Sequence, residues 1–331
     1  MTEVALRAVI KGTGSALPRN RVSNAELANK VDTTDEWITE RTGIKFRHIA
    51  APDETTSSLA IEASRKALDA AGMAATDIDL IILATATPDQ TFPASATIVQ
   101  HALGCNGGVA FDVAAVCSGF LYAFSVAESM IRAGSAHNAL VIGAETFSRI
   151  LDWEDRTTCV LFGDGAGAVL IEASEQASGL LASKLSCVPD SRECLRLPGW
   201  GMTSARFSEE FFISLDFEGQ EIFKSAVKGM SDAISDVLDK HNLRAEEIDL
   251  FIPHQANIRI IQTLAKRLNF PMEKVVVAIE GYANTSAASI PLALSAAVDD
   301  GRIKNGDVVA MEAIGGGLVW GAALVKFGRP S

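Results

Sequence analysis

The chain repeats itself at long range, and the repeat limits the folds open to it. CSGFLYAFSVAESMIRAG, from Cys117 to Gly134, is answered by NTSAASIPLALSAAVDDG, from Asn284 to Gly301, with the same 17-residue spacing in each. Both stretches run into strand-like phrases, ALVIGAE and DVVAMEA. A second pair agrees: the helical LAIEASRKALDAAG stops at Gly72 before DLIILATATP, and ISDVLDKHN precedes DLFIPHQAN, so that Asp79 and Asp249 open equivalent strands. Helical period closing at glycine and followed by a β-rich apolar run is the βαβ rhythm, which predicts parallel sheet. Solenoid repeats are shorter and more numerous, and a helical bundle lacks the strands. The 331 residues therefore divide near residue 172 into halves 1–172 and 173–331, the first carrying Cys117 and the second His254 and Asn284. On this spacing Cys117 and Asn284 hold corresponding positions, facing one another across the repeat axis. The segment 186–211, with two prolines and no sustained period, reads as a lid or as a surface insertion.

The strand-like FDVAAV, from Phe111 to Val116, delivers the chain to Cys117, and an amphipathic helix follows. Ser118 and Gly119 permit a tight turn, as in a nucleophile elbow. Unpaired N–H groups at a helix start favour thiolate over thiol. A cysteine in such surroundings also serves as plain packing. Of the five histidines, His254 has a distinctive setting, at the end of LFIP, where α/β sheets place ligand-handling residues. Asn284 opens the equivalent helix of the second half, where an ordinary N-cap is the other reading. AIGGGLVWG, from Ala313 to Gly321, offers main-chain N–H groups to a developing oxyanion, or is simply a crowded turn.

Five cysteines without Cys-x-x-Cys spacing suit reduced thiols in the cytoplasm. The first residues lack the order of a signal peptide, and no apolar run is long enough for a bilayer. A net charge of −12 argues against nucleic acid and anionic membranes as partners. Cys187 and Cys194 have no histidine neighbours, so no metal site is expected. The acidic Asp152, Glu154 and Asp155 read as a solvated turn beside Arg156.

Taken in order, IKGTGSALP, DEWITERTGIKFRHIA, AAVCSG, FGDGAGA, PHQAN, NTSAAS and GGGLVWG closely resemble the β-ketoacyl-acyl carrier protein synthase III family of the thiolase superfamily, over essentially the whole chain. The resemblance implies an α/β fold with duplicated halves in a five-layer αβαβα sandwich. It implies a catalytic set of Cys117, His254 and Asn284, and an oxyanion hole from the N–H groups of Cys117 and Gly316. The implied reaction is a decarboxylative condensation of an acyl-coenzyme A, acetyl-coenzyme A first, with malonyl-acyl carrier protein. No metal or bound cofactor is implied, coenzyme A thioester being a substrate. Trp37 and Arg156 match the adenine site, with Arg41 and Asn257 nearby. Lys224 matches a position used for the carrier protein, joined by Arg259, Lys266 and Arg267 on the polar face of the helix predicted after His254. Phe147, Phe162 and Ile314 match the acyl pocket, and Phe92 matches a residue given to a neighbouring subunit's pocket, which implies a homodimer. Ile314 stands where relatives often carry an aromatic, Ala283 where they carry glycine, and Phe147 where they carry an aliphatic residue, leaving pocket size open.

Three other readings compete. The same fold could serve a secondary-metabolite pathway with a longer or branched donor. The pairs Gly12/Gly14 and Gly163/Gly165 weakly suggest a nucleotide-binding oxidoreductase, although neither has Gly-x-Gly-x-x-Gly spacing. A catalytically silent scaffold is the third.

Overall fold

The computed structural model describes residues 6–176, 178–188, 195–197, 214–215 and 219–328, with the side chains of 195–196, 214–215 and 219–226 outside that description. The Lys224 side chain, Cys194 and most of the segment 186–211 therefore lie outside the described residues.

In chain order the strands are β1 (Arg7–Ala16), β2 (Asn20–Ser23), β3 (Phe46–Ile49), β4 (Leu80–Ala84), β5 (Val109–Val113), β6 (Asn138–Glu145), β7 (Gly165–Ser174), β8 (Gly179–Cys187), β9 (Leu195–Arg196), β10 (Ser214–Leu215), β11 (Leu250–Pro253), β12 (Val308–Gly315) and β13 (Val319–Lys326). The helices are α1 (Asn24–Leu27), α2 (Asp35–Thr42), α3 (Thr56–Ala71), α4 (Ser95–Leu103), α5 (Gly119–Arg132), α6 (Gly219–Lys240), α7 (Ile258–Arg267), α8 (Ile279–Tyr282) and α9 (Ser289–Asp299).

Two large sheets form, in the orders β1-β7-β6-β4-β5 and β11-β12-β13-β8, beside the two-stranded pairs β2-β3 and β9-β10. Helices α5 and α9 lie between them and share one buried apolar cluster with both. Helices α3 and α4 cover the outer face of the first sheet, and α6 and α7 that of the second. This is the five-layer αβαβα sandwich expected of the sequence. Alanine and glycine on the central elements make room for these layers to close.

The sheets are mixed, however, not parallel. Only β5, β4 and β6, and the pair β11 and β12, run parallel; β7 is antiparallel to both β6 and β1, and β13 to both β12 and β8. The turn from Gly315 to Val319 is too short for a crossover and must return the chain antiparallel. The expected division at residue 172 falls inside β7, while the change from one sheet to the other comes between Ser174 and Gly179.

Asp79 and Asp249 do open equivalent strands: Asp79 accepts from the N–H groups of His137 and Asn138, and Asp249 from that of Val308. Among the described residues no helix is long and apolar enough to cross a membrane.

Candidate active site

The strand β5 leads through Ala115 into the single turn Val116–Ser118, from which α5 starts. Val116 has φ 45°, a left-handed conformation costly for a β-branched residue. A second such turn, Ser286–Ala288, starts α9, and its first residue, Ser286, has φ 49°. These two strained residues therefore correspond, which pairs Cys117 with Ala287 and corrects the expected pairing of Cys117 with Asn284. The equal spacing to Gly134 and Gly301 misleads because α5 has 14 residues and α9 only 11. Asn284 reaches the site from two residues ahead of its turn, and the two turns pack on one another.

Each turn also packs against a strand of the opposite half, Val116–Ser118 on β12 and Ser286–Ala288 on β6. Gly315 allows the first approach, since a Cβ there would lie 2.9 Å from the Cys117 nitrogen; Gly143 allows the second, beneath the Ala287 carbonyl. The Ser118 hydroxyl ties the elbow to β13 by donating to the Val319 carbonyl at 3.0 Å. Gly316, expected to join Cys117 in an oxyanion hole, follows directly on Gly315 in the chain.

Asn284 is held at three points. Its N–H donates to the Leu161 carbonyl at 3.0 Å, its carbonyl accepts from Gly163 N–H at 3.0 Å, and its Oδ1 accepts from Ser286 N–H at 2.9 Å. The last bond leaves Nδ2 as the group to donate into the site. His254 follows β11; its N–H donates to the Glu312 carbonyl at 2.7 Å, and its Nδ1 has no partner among the described residues. Gln255 N–H donates to Ser289 Oγ at 2.7 Å, fixing the end of β11 against the start of α9. Burial pushes the His254 imidazole down to about 4, so it is neutral at pH 7.

Cys117 is 7% exposed, and burial pushes its thiol up to about 12, the nearby Ser286 hydroxyl opposing the rise and the Glu145 carboxylate adding to it. The expectation that the helix start alone favours thiolate gives way here to desolvation. Burial thus favours the protonated form of Cys117.

Around this centre the remaining expected residues fall into groups. Phe147 and Phe162 are buried and stacked with centroids 4.5 Å apart, and Ile314 packs half-buried into the same cluster. Phe92 stands 82% exposed, outside that cluster. The Arg41 guanidinium lies 4.6 Å from the Trp37 ring centroid and the Arg156 guanidinium 5.3 Å. Arg156 is set by the Asp32 carbonyl at 2.7 Å rather than by the acidic turn, whose Asp155 instead accepts from Thr157 and Thr158. Asn257 Nδ2 donates to the Arg41 carbonyl at 3.0 Å, joining α7 to the same patch. On α7 and its C-cap, Ile261, Leu264 and Leu268 face inward while Arg259, Lys266 and Arg267 are exposed, as the periodicity predicts. Arg259 is partly spent on the Glu40 carbonyl at 3.0 Å.

Two residues close to Cys117 are not singled out by the sequence motifs. Glu145 and Ser286 sit in phrases already noted, ALVIGAE and NTSAAS; the signal for Glu145 is a carboxylate closing an otherwise apolar strand. The glycine pairs, by contrast, lie in or beside β1 and β7 and not in a loop opening a helix, which removes the basis for a dinucleotide site.

A duplicated sandwich with a cysteine elbow at the contact of its halves defines a thiolase-like condensing enzyme, an acyltransferase. The family model for 3-oxoacyl-[acyl-carrier-protein] synthase III matches residues 111–189 and its C-terminal model residues 238–327. The chain belongs to the 3-oxoacyl-[acyl-carrier-protein] synthase III family. It is 58% identical to the β-ketoacyl-[acyl-carrier-protein] synthase III of Novosphingobium aromaticivorans, over 98% of this chain and 100% of that one. The crystal structure of the 3-oxoacyl-[acyl-carrier-protein] synthase III of Aquifex aeolicus superposes with TM-score 0.91 at 48% identity, covering 97% of this chain and 100% of that one. The priming β-ketosynthase of the R1128 polyketide biosynthetic pathway superposes with TM-score 0.92 at 32% identity, covering 98% and 97%. Backbone shape is thus shared between pathways, and the side chains of the site must tell them apart.

Proposed function

We propose that this protein starts fatty acid synthesis by condensing an acyl-coenzyme A, acetyl-coenzyme A first, with malonyl-acyl carrier protein. The observation that carries the reading is the meeting of Cys117, on its strained elbow, with the Asn284–Ser286 segment of the other half.

Coenzyme A docks with its adenine at Trp37 and Arg156, with Arg41 and Asn257 beside them. Cys117 Sγ attacks the thioester carbonyl, whose oxygen takes hydrogen bonds from the N–H groups of Cys117 and Gly316. Coenzyme A leaves, and the acyl chain occupies the pocket of Phe147, Phe162 and Ile314. Malonyl-acyl carrier protein then docks on the basic face of α7, chiefly through Lys266 and Arg267, with Lys224 taking part as the family resemblance implies. His254 and the Asn284 amide donate to the malonyl thioester carbonyl and stabilise the enolate formed as carbon dioxide departs. Neutral imidazole and amide suit this task because each donates without titrating near pH 7. The enolate carbon attacks the acyl carbon on Cys117, the bond to Sγ breaks, and the released thiolate takes up a proton from solvent. No bound cofactor enters these steps. The enzyme works in the cytoplasm as a homodimer, the exposed Phe92 completing a neighbour's pocket.

The test is intact mass after incubation with acyl-coenzyme A donors of increasing length, followed by addition of malonyl-acyl carrier protein. A single adduct, absent in Cys117→Ala and fastest with acetyl, followed by 3-oxoacyl product, is expected. Preference for long or branched donors would move the enzyme to a secondary-metabolite pathway. No adduct with any donor would overturn the reading.

A further inference from the structure

Glu145 closes β6 and is fully buried. Both its oxygens accept from Ala86 N–H at 3.1 Å, and Oε2 accepts from the hydroxyls of Thr87 at 2.6 Å and Thr85 at 3.2 Å. The turn Ser286–Ala288 packs on β6 and brings the Ala287 N–H and the Ser286 hydroxyl near the same carboxyl. In the repeat, β6 and β12 correspond and Glu145 is the counterpart of Gly315. Its carboxyl therefore fills, beside Ala287, the space that the glycine run leaves open beside Cys117.

The Ser286 hydroxyl is buried, lies against both the Cys117 thiol and the Glu145 carboxyl, and closes no hydrogen bond among the described residues. A buried hydroxyl that neighbours both an acid and a thiol, and is committed to no other partner, is free to turn and link them. The groups facing Glu145 are the hydroxyls of Thr85, Thr87 and Ser286, the N–H groups of Ala86 and Ala287, and the Cys117 thiol, which alone among them titrates. Burial raises the carboxyl to about 7, against the hydrogen bonds it receives, whereas burial drives His254 to about 4 and makes it a poor base.

We infer that Glu145, acting through the Ser286 hydroxyl, is the proton acceptor for Cys117 in the acylation step. This rests on the reading of Cys117 as the nucleophile. As Sγ bonds to the acyl carbon, the thiol proton moves to Ser286 Oγ and the Ser286 proton moves to the Glu145 carboxylate. When the tetrahedral intermediate collapses and the bond from carbon to the coenzyme A sulfur breaks, the proton returns by the same route to that sulfur. Nothing is oxidised, and the enzyme ends as the S-acyl form with free coenzyme A. With donor filling the approach, water is excluded, and an internal acceptor governs the rate.

The experiment is rapid-quench intact mass of acylation by acetyl-coenzyme A across about pH 6 to pH 8, on wild type, Glu145→Gln, Ser286→Ala and Cys117→Ala, with thermal midpoints as a check on folding. Wild-type acylation should rise with a midpoint near 7. Glu145→Gln and Ser286→Ala should each be about 100-fold slower, and Glu145→Gln should lose that midpoint. If the carboxylate were only an electrostatic neighbour, its removal would make the thiol more acidic and acylation faster. Glu145→Gln as fast as wild type or faster overturns the relay, and so does an undiminished Ser286→Ala, which carries the test should Glu145→Gln not fold. Wild type without any adduct fails the condensing reading itself; an adduct lost only in Cys117→Ala keeps that reading and fails the relay alone.

Discussion

A Cβ on Gly315 would stand 2.9 Å from the Cys117 nitrogen and 3.1 Å from the Ala115 carbonyl oxygen, both main-chain atoms that cannot swing aside. Gly315→Ala must therefore displace the elbow or the glycine run, and with them the N–H groups proposed to hold the oxyanion. The expected outcome is a loss of about 100-fold in acylation rate, with destabilisation of about 1–3 kcal/mol. Single-turnover acylation and denaturant unfolding measure the two; an unaltered acylation rate would detach the glycine run from the chemistry.

Trp37 carries two guanidinium groups on its indole, at 4.6 Å and 5.3 Å. Trp37→Ala should leave both arginines without their platform and weaken coenzyme A binding about 10-fold, in keeping with cation–π contacts of about 1 kcal/mol plus lost stacking. The acylation rate at saturating donor should hold. Calorimetric titration with coenzyme A, alongside the separation of kcat from KM, checks this; a fall in kcat alone would place Trp37 elsewhere.

Lys266 and Arg267 are exposed on α7 beside the His254 segment, while Arg259 is anchored to Glu40. Reversing both charges, Lys266→Glu with Arg267→Glu, should lower kcat/KM for malonyl-acyl carrier protein about 10-fold or more at low salt, the gap to wild type narrowing as salt screens the approach. Acylation by acyl-coenzyme A should not change. A salt-independent defect, or a loss in the first half-reaction, would argue against carrier docking on this face.

His254 is buried with its folded pKa pushed below the free value of 6.5 to about 4. The unfolded chain takes up the proton first, so this residue's contribution to stability is lost as pH falls from 6.5 towards 4, by about 3 kcal/mol. Glu145 works the other way: its folded pKa is raised from 4.5 to about 7, so its contribution is present at low pH and is lost as pH rises through that window. The two nearly cancel in the wild type. His254→Gln should therefore grow more stable relative to wild type on acidification, and Glu145→Gln less stable. Denaturant unfolding of the three proteins at about pH 7 and about pH 5 reads these opposite slopes, and parallel slopes would contradict the burial of one or the other.

Much of the architecture was legible because it depends on periodicity and punctuation. Helix stops at Gly72, Gly134 and Gly301, the aspartates that open β4 and β11, and the apolar face of α7 all follow from local spacing, and all stand in the structure. Strand direction was not local. The antiparallel β7 and β13 follow from which neighbour each strand finds, a matter settled by chain return and layer packing.

The site divides in the same way. Sequence by itself determined that the protein is a duplicated α/β chain with a cysteine elbow, a histidine beyond a strand and an asparagine before a helix, since each is announced by its immediate neighbours. It could not determine that Cys117 answers to Ala287, because a three-residue difference in helix length is invisible to spacing counted from the far end. Nor could it find Glu145, which is 28 residues from Cys117 in sequence and comes near it only where Ser286 of the other half packs between the two turns. Only the tertiary structure decided the protonation of the site, because burial is a property of everything packed around a group, and desolvation outweighs the local pull of a helix start on the thiol.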